Sequence, residues 1–246
     1  MNEYPLISVV ILNWNRLEDT KRAIESVLKQ TYPHFEIVVI DNHSEEPGSD
    51  SLFQIYPDIH FYRMDRNYGC PGGRNIGIER AKGEYVFFVD NDGILESHAL
   101  ENAYRVFREH ENVGIVTGRV IYYEQDFLRH SGYYEASTDI RNTGNYHYSH
   151  VFTGGVTMHK RSIYNKIGMY NADFMYGGEE TNLALRLMTI DQYVFFADDV
   201  ILWHKKSDLA RPKQFNFISA CSNMYYTYMQ LMPLEFRTVF FQFLFT

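Results

Sequence analysis

The chain has 246 residues, 45% hydrophobic and 22% charged, which suits one large globular α/β domain, alone or with a small appendage, and excludes a disordered or fibrous chain. Its net charge of −8, with no Lys/Arg-rich stretch, excludes a nucleic-acid backbone as the expected partner, so an anionic ligand would need a bound cation or a local basic cluster. Cys70 and Cys221 are the only cysteines and form no C-x-x-C pair, which implies a reducing compartment rather than a disulfide framework.

The first residues lack the basic start and apolar core of a signal peptide. Residues 7–12 (ISVVIL) read as a buried strand, broken at Asn13-Trp14-Asn15. Asn15 with Glu18 reads as a capping pair opening a helix, on which Ala23, Ile24, Val27 and Leu28 recur at helical spacing. Pro33 ends that element. Residues 35–40 (FEIVVI) form a second strand that stops at Asp41-Asn42-His43-Ser44, and residues 45–51 are a polar loop. A short strand is expected near 59–63. Residues 67–73 (NYGCPGG) read as irregular, and residues 74–82 as a helix with Gly83 as its C-cap. Residues 86–89 (VFFV) are apolar enough to be buried on both faces and stop abruptly at Asp90-Asn91-Asp92. Ser97 is the expected N-cap of a helix carrying Leu100, Ala103, Val106 and Phe107. This alternation over residues 6–110 predicts an α/β fold with a doubly wound, mixed but mostly parallel sheet and helices on both faces.

Beyond residue 113 the pattern loosens. Residues 113–116 and 119–123 read as two strands, and 124–150 as an irregular, Tyr-rich flap. Order resumes at 153–158 with a helix near 161–167. Gly177-Gly178-Glu179-Glu180 then opens a helix with Leu183, Leu187 and Ile190 on one face. Residues 194–197 and 200–202 are strands, closed by Trp203-His204. The stretch 232–246, dense in Leu, Phe and Val, falls short of the ~20 residues a membrane span needs. It reads as an interfacial helix, a dimer contact or the start of a further domain.

Acids at the C-terminal ends of several strands of one open sheet converge on one crevice. Asp90 and Asp92 are spaced to hold one hard divalent cation, with a diphosphate as the natural co-ligand, although Asp-Asn-Asp-Gly is also ordinary turn chemistry. Asp41 can accept the N–H groups of a nucleobase or cap its own turn; beside the other acids the ligand role is favoured. The glycine-rich run 67–77 fits neither the dinucleotide nor the P-loop spacing, and Arg74 within it is expected to meet phosphate, base or one of the acids. Glu179 and Glu180 suit a helix N-terminus for dipole reasons, or a general base across the crevice from the metal. His204 reads either as packing or as a further metal ligand.

Taken in order, Val9-Val10-Ile11-Leu12-Asn13-Trp14-Asn15, Ile40-Asp41-Asn42-His43-Ser44, Asn67-x-Gly with Arg74-Asn75-x-Gly77, Asp90-Asn91-Asp92, Gly154-Gly155, Gly177-Gly178-Glu179-Glu180 with Leu183 and Arg186, and His204-Lys205-Lys206-Ser207 resemble the inverting nucleotide-sugar glycosyltransferases of family 2, with a GT-A fold. The resemblance runs from about residue 6 to 207 and is specific as a set. It implies a catalytic domain over 1–207, with a nucleotide-binding half at 6–110 and an acceptor-binding half at 111–207, followed by a helical, aromatic tail at 208–246. It implies that Asp41 holds a uracil or thymine base with Asn13, Asn67 and Arg74 near it, and that Asp92, with Asp90 and His204, binds Mn2+ or Mg2+ on the donor diphosphate. Thr153, Gly154 and Gly155 would line the sugar and acceptor pocket. The family's base is usually the Asp of a Glu-Asp pair; here the pair is Glu179-Glu180, so either glutamate is a candidate. Lys205 or Lys206 would help the diphosphate leave. The implied donor is a UDP- or dTDP-sugar, and the acceptor a glycan or lipid-linked hydroxyl in polysaccharide or cell-envelope synthesis. The expected location is the cytoplasm, with peripheral membrane contact through 232–246. Two other classes fit parts of the pattern. A nucleotidyltransferase would want a basic loop where only Arg16, Lys21 and Arg22 stand, and a non-catalytic sugar-nucleotide or glycan-binding homologue would not need both Asp90 and Asp92.

Overall fold

The structure, a computed structural model, describes residues 4–45, 51–124, 127–130, 146–149, 151–174, 177–205, 213–231 and 233. Its first half alternates strand and helix: β1 (Ile7–Asn13), α1 (Leu17–Val27), β2 (Phe35–Asp41), the one-turn α2 (Leu52–Ile55), β3 (His60–Arg63), α3 (Gly69–Arg80) and β4 (Tyr85–Asp90). β5 (Gly93–Leu95), α4 (Ala99–Glu109), β6 (Val113–Glu124), β7 (Phe127–His130), β8 (Tyr146–Ser149) and β9 (Val156–Lys160) follow. The last described elements are α5 (Tyr164–Ile167), α6 (Glu179–Met188), β10 (Tyr193–Lys205) and α7 (Lys213–Leu231).

The strands form one sheet in the order β3-β2-β1-β4-β9-β6-β10-β5, with β7 beside β6 and β8 beside β10. Strands β1 to β4 pair in parallel, and β6 pairs in parallel with β10. Antiparallel β9 lies between β4 and β6 and so keeps β6 and β10 in the same sense as β1 to β4. The C-terminal ends of these parallel strands therefore share one edge of the sheet. Register aligns Asn13 with Asp41 and Asp41 with Arg63, and sets Leu12 beside Asp90. This edge is the crevice that the strand-end acids predict.

Apolar residues alternate to both faces, as buried parallel strands require. Ile7, Val9, Ile11, Phe87 and Val89 pack with Ile24 and Val27 of α1 and with Leu100 and Val106 of α4. Val10, Val38, Val86 and Phe88 face the other way, onto Ile78 of α3 and Leu183 and Leu187 of α6. Leu28, which fits the α1 stripe by spacing, is 52% exposed; it caps the helix just beyond its buried side.

Several local expectations fail for physical reasons. The NYGCPGG run reads as irregular, yet α3 begins at Gly69 and runs through it. Pro71 sits in the first turn, where a missing N–H costs nothing. Gly73 and Gly77 let the helix lie directly on β1: a Cβ at Gly77 would stand 2.4 Å from Val10 Cγ1. Gly77→Ala is therefore expected to lower stability by about 1–3 kcal/mol, against a helix-propensity gain of about 1 kcal/mol. Urea unfolding measures the net effect, and recovery in the Gly77→Ala/Val10→Ala double variant would identify the contact. Gly83 does not cap α3, which ends at Arg80 with Ala81 following in extended conformation; Gly83 instead donates its N–H to Ser8 Oγ at 2.8 Å. Asn15 does not cap α1. It lies in the left-handed region, as does Arg16, and its Oδ1 accepts from the Glu45 N–H at 3.0 Å, tying the β1 loop to the β2 loop. Ser97 falls one residue short of the cap position, which is His98. The paired strands expected at 113–123 and 194–202 are single strands, and β10 carries an irregularity between Ala197 and Ile201.

Within the expected flap, Glu124 ends β6, and β7 and β8 extend the sheet; the rest of 125–150, Lys206, Ser207 and 232–246 other than Pro233 lie outside the described residues. Among the described residues, no helix is long and apolar enough to cross a membrane.

Candidate active site

Three clusters of side chains line the shared strand-end edge. The first lies at β1, β2 and β3. Asn13 and Asp41 are both fully buried, and Asn13 Nδ2 donates to Asp41 Oδ1 at 2.9 Å. Thr20 Oγ1 donates to Asn13 Oδ1 at 2.7 Å, which fixes the amide's orientation. Ser44 also donates its hydroxyl to Asp41 Oδ1. On the other oxygen, Arg63 Nη1 donates to Asp41 Oδ2 at 3.1 Å while Nη2 reaches Ser44 O at 2.8 Å. Asp41 thus does both things its sequence context allows: it organises its turn, and it stands at the strand end beside an arginine that the sequence pattern does not single out. The signal lies in the β2–β3 register, which sets Arg63 opposite Asp41. Asn67 is exposed. Its Oδ1 accepts from Asn42 Nδ2 at 2.9 Å and from the Gly69 N–H at 2.8 Å, so Asn67 and the buried Asn42 secure the start of α3.

The second cluster is the acid pair. Chain reversal after β4 lets β5 run antiparallel to β10 with Gly93 opposite His204. That pairing brings the imidazole to the acids: His204 Nε2 lies 3.0 Å from Asp92 Oδ1 and 3.7 Å from Asp90 Oδ2. One ligand atom from each of Asp90, Asp92 and His204 falls within 4.8 Å of the others. Two carboxylates and an imidazole so close together form a donor set that can hold one divalent cation, the carboxylates being oxygen ligands of the kind hard cations take. Arg16 Nη1 pairs with Asp92 Oδ2, the oxygen turned from the histidine contact. Burial would raise the Asp92 carboxyl, but the hydrogen bond and charge of His204, with Arg16, hold it below its ordinary value. Burial would lower His204, but its hydrogen bonds to Asp90 and Asp92 and their charges push it up to about 10. Lys205 Nζ does not join this cluster; it reaches Asp19 on α1 at 3.2 Å.

The third cluster joins α6 to the acid pair through Arg74. The sequence places Arg74 at a helix start, but α3 begins at Gly69, so Arg74 lies in the middle of the helix, where it is only 5% exposed. Its Nη1 donates to Glu180 Oε1 at 2.9 Å and lies 3.9 Å from Glu179 Oε1, and its Nη2 lies 3.9 Å from Asp90 Oδ1. The guanidinium carbon sits 5.7 Å from the Tyr170 ring and 6.0 Å from the Phe88 ring. The two glutamates differ sharply: the Glu180 side chain is 22% exposed and Glu179 3%. Burial first, and then the charge of Glu180, raise Glu179 to about 7, although Arg74 and the backbone N–H groups of Glu179 and Gly177 oppose them.

Gly154 and Gly155 form the wall between the second and third clusters. A Cβ at Gly154 would lie 1.9 Å from Arg74 Nη2, and one at Gly155 would lie 2.1 Å from Asp90 Oδ2. Thr153 is anchored beside them by its N–H to Thr117 Oγ1 at 3.2 Å. The structure thus brings Asp90, Asp92, His204, Arg74, Glu180 and both glycines together, with Asn13 and Asp41 further along the same edge.

The fold is of the GT-A class. A solved structure of GalNAc-T7 with UDP, GalNAc and Mn2+ matches it with a TM-score of 0.70 at 17% identity, over 85% of this chain and 45% of that one. Residues 8–168 match the model of Glycosyl transferase family 2, so the chain belongs to that family. Among curated relatives, the putative teichuronic acid biosynthesis glycosyltransferase TuaG of Bacillus subtilis is 32% identical over 120 residues, 48% of this chain and 48% of its own. The poly(ribitol-phosphate) beta-N-acetylglucosaminyltransferase TarP of Staphylococcus aureus is 34% identical over 118 residues, 46% of this chain and 36% of its own. The chain spans less than half the length of these relatives.

Proposed function

We propose that the chain is a metal-dependent, inverting glycosyltransferase that moves a sugar from a UDP- or dTDP-sugar to a hydroxyl of a glycan or lipid-linked acceptor in cell-envelope polysaccharide synthesis. The observation that supports this reading is Arg74: one buried guanidinium lies 3.9 Å from Asp90 of the acid pair and 2.9 Å from Glu180 of α6, so the acids read as metal ligands and the acid read as the base flank one residue. The names of TuaG and TarP, and the UDP and Mn2+ of the GalNAc-T7 structure, support the substrate class.

In this reading Asp41, with Asn13, Asn67 and Arg63, holds the nucleobase end of the donor. Asp90, Asp92 and His204 hold the divalent ion, which when bound supplies positive charge against the donor diphosphate. Glu180 is the base. It is accessible where Glu179 is enclosed, and Arg74 keeps its carboxylate oriented to take the acceptor hydroxyl's proton on Oε. The acceptor oxygen then attacks the anomeric carbon from the face opposite the nucleotide as the bond from that carbon to the diphosphate oxygen breaks, so the centre inverts and the nucleoside diphosphate leaves with the electron pair. Thr153, Gly154 and Gly155 line the sugar side of the site, the two glycines leaving room for Arg74 and Asp90. Arg74 serves as the tie between the two flanks rather than as an exposed nucleotide contact. Residues 1–207 would be the catalytic domain, its 6–110 half binding nucleotide and its 111–207 half binding acceptor, with 208–246 as a tail in peripheral contact with the inner face of a membrane.

A thermal-shift panel of UDP, dTDP and GDP, each with and without Mn2+, tests the donor site. Saturation at 100 times Kd adds about 2.7 kcal/mol, which is several degrees for a domain of this size. UDP or dTDP with Mn2+ is expected to raise Tm, and Asp92→Ala to abolish the Mn2+-dependent part. A shift with no nucleotide, or an unchanged shift in Asp92→Ala, would count against the site.

A further inference from the structure

Helix α7 lies beyond the stretch matched by the family model, yet it packs on the segment that presents the two glutamates. Gly177 and Gly178 both have left-handed backbones, with φ of 82° and 85°, and α6 starts directly after them with no side-chain cap. Two consecutive left-handed glycines make a soft support for a catalytic side chain. The support comes from α7. Asn223 Nδ2 donates to Gly177 O at 2.6 Å, and an added Cβ on Gly178 would stand 3.2 Å from the Asn223 side chain. One turn further along, Asn182 Nδ2 donates to Thr227 Oγ1 at 3.0 Å; both residues are 1% exposed. Thr227 Oγ1 in turn donates to Asn223 O at 2.8 Å, so the two contacts form one network. Asn182 Oδ1 accepts from Arg186 Nε at 2.9 Å, which fixes which end of the amide faces α7. Tyr226 adds an edge-on contact to Phe174, just before the turn.

We propose that α7 is a working part of the active site, in which Asn223 and Thr227 are positioning residues that hold the glycine turn and α6 and so set where the Glu179, Glu180 pair stands. The inference rests on Glu180 being the base. Arg74 holds Glu180 from the sheet side, and α7 fixes the backbone beneath it. Neither α7 residue lies in the nucleotide or metal clusters, so their effect should fall on turnover and not on donor binding.

The test uses the full chain and two substitutions that remove the Asn223 donor, Asn223→Ala and the near-isosteric Asn223→Asp, with Thr227→Val as a milder third. UDP release with Mn2+ is followed from UDP-glucose, UDP-galactose and UDP-N-acetylglucosamine, alongside UDP affinity and Tm. Both Asn223 variants are expected to slow saturated turnover by about tenfold or more, since small misplacements of reacting groups are costly, with KM for the donor and the affinity for UDP with Mn2+ within twofold of wild type. Wild-type turnover in both Asn223 variants would overturn the proposal. So would UDP affinity falling in step with turnover and Tm, because α7 would then be a stabilising element only. A Glu180→Gln control separates the two ideas: wild-type turnover there removes the base assignment, whereas a dead control with silent Asn223 variants removes only the positioning role.

Discussion

Glu180→Gln is expected to lower sugar transfer by about 10²–10⁴-fold, the usual contribution of a positioned general base, while UDP binding with Mn2+ survives. The substitution keeps size and leaves an amide oxygen for Arg74 Nη1, which lies 2.9 Å from Glu180 Oε1. It removes only the ability to take up a proton. Arg74 retains Asp90 and Glu179 as charge partners, so the buried guanidinium is not orphaned. Glu179→Gln is the informative partner. Glu179 is 2% exposed, and its Oε2 is buried without a hydrogen-bond partner among the described residues. An enclosed carboxyl raised to about 7 by burial and by Glu180 is poorly placed to meet an acceptor. Its loss is expected to affect stability more than transfer. Initial rates with saturating donor, compared with titrations of UDP in Mn2+, check both variants. Transfer at the wild-type rate in Glu180→Gln would sink the assignment, and the reverse ranking of the two variants would move the base to Glu179.

The elements legible in the sequence are those fixed by local pattern. Apolar runs such as VFFVD read as strands buried on both faces, and Phe87 and Phe88 do pack into opposite layers. Acids that terminate such runs must fall on one edge once the strands are parallel, which is why the sequence alone suffices to group Asp41 with Asp90. What stays hidden depends on pairing between distant segments. Arg63 meets Asp41 only through the β2–β3 register, and Arg16 meets Asp92 only because a left-handed loop turns it toward β4. The burial of Arg74 requires a bare Gly154 on β9's approach to stand against it, a contact between segments far apart in the chain. The start of helix α3 is illegible because glycine and proline read as breakers, whereas here one fits a first turn and the others permit close packing on β1. Helix α7 has little amphipathic pattern to read, since its polar Asn223 and Thr227 are the residues that face α6.

Gly155→Ala is expected to weaken UDP binding with Mn2+ by about 10–100-fold, the range seen when a supporting group of a metal ligand is lost, while costing the fold about 1–3 kcal/mol. The added methyl would stand 2.1 Å from Asp90 Oδ2 and 2.4 Å from its Cγ. The backbone cannot retreat: the Gly155 carbonyl accepts the Asp90 N–H at 3.1 Å, and β9 is held between β4 and β6 from the next residue on. Asp90 must give way instead. Its side chain is 40% exposed, so it can swing toward solvent with little loss of packing, and the cost falls on the cluster it leaves. His204 then loses one of its two acid partners and Arg74 loses its tie to the metal side. The mechanism predicts a non-additive pair. In Asp90→Ala the carboxylate is already gone and there is nothing for the methyl to displace, so Gly155→Ala/Asp90→Ala should bind UDP with Mn2+ no more weakly than Asp90→Ala alone. Titration calorimetry of the four proteins closes the cycle. Wild-type affinity in Gly155→Ala, or fully additive losses in the double variant, would mean that the glycine is not there to make room for Asp90.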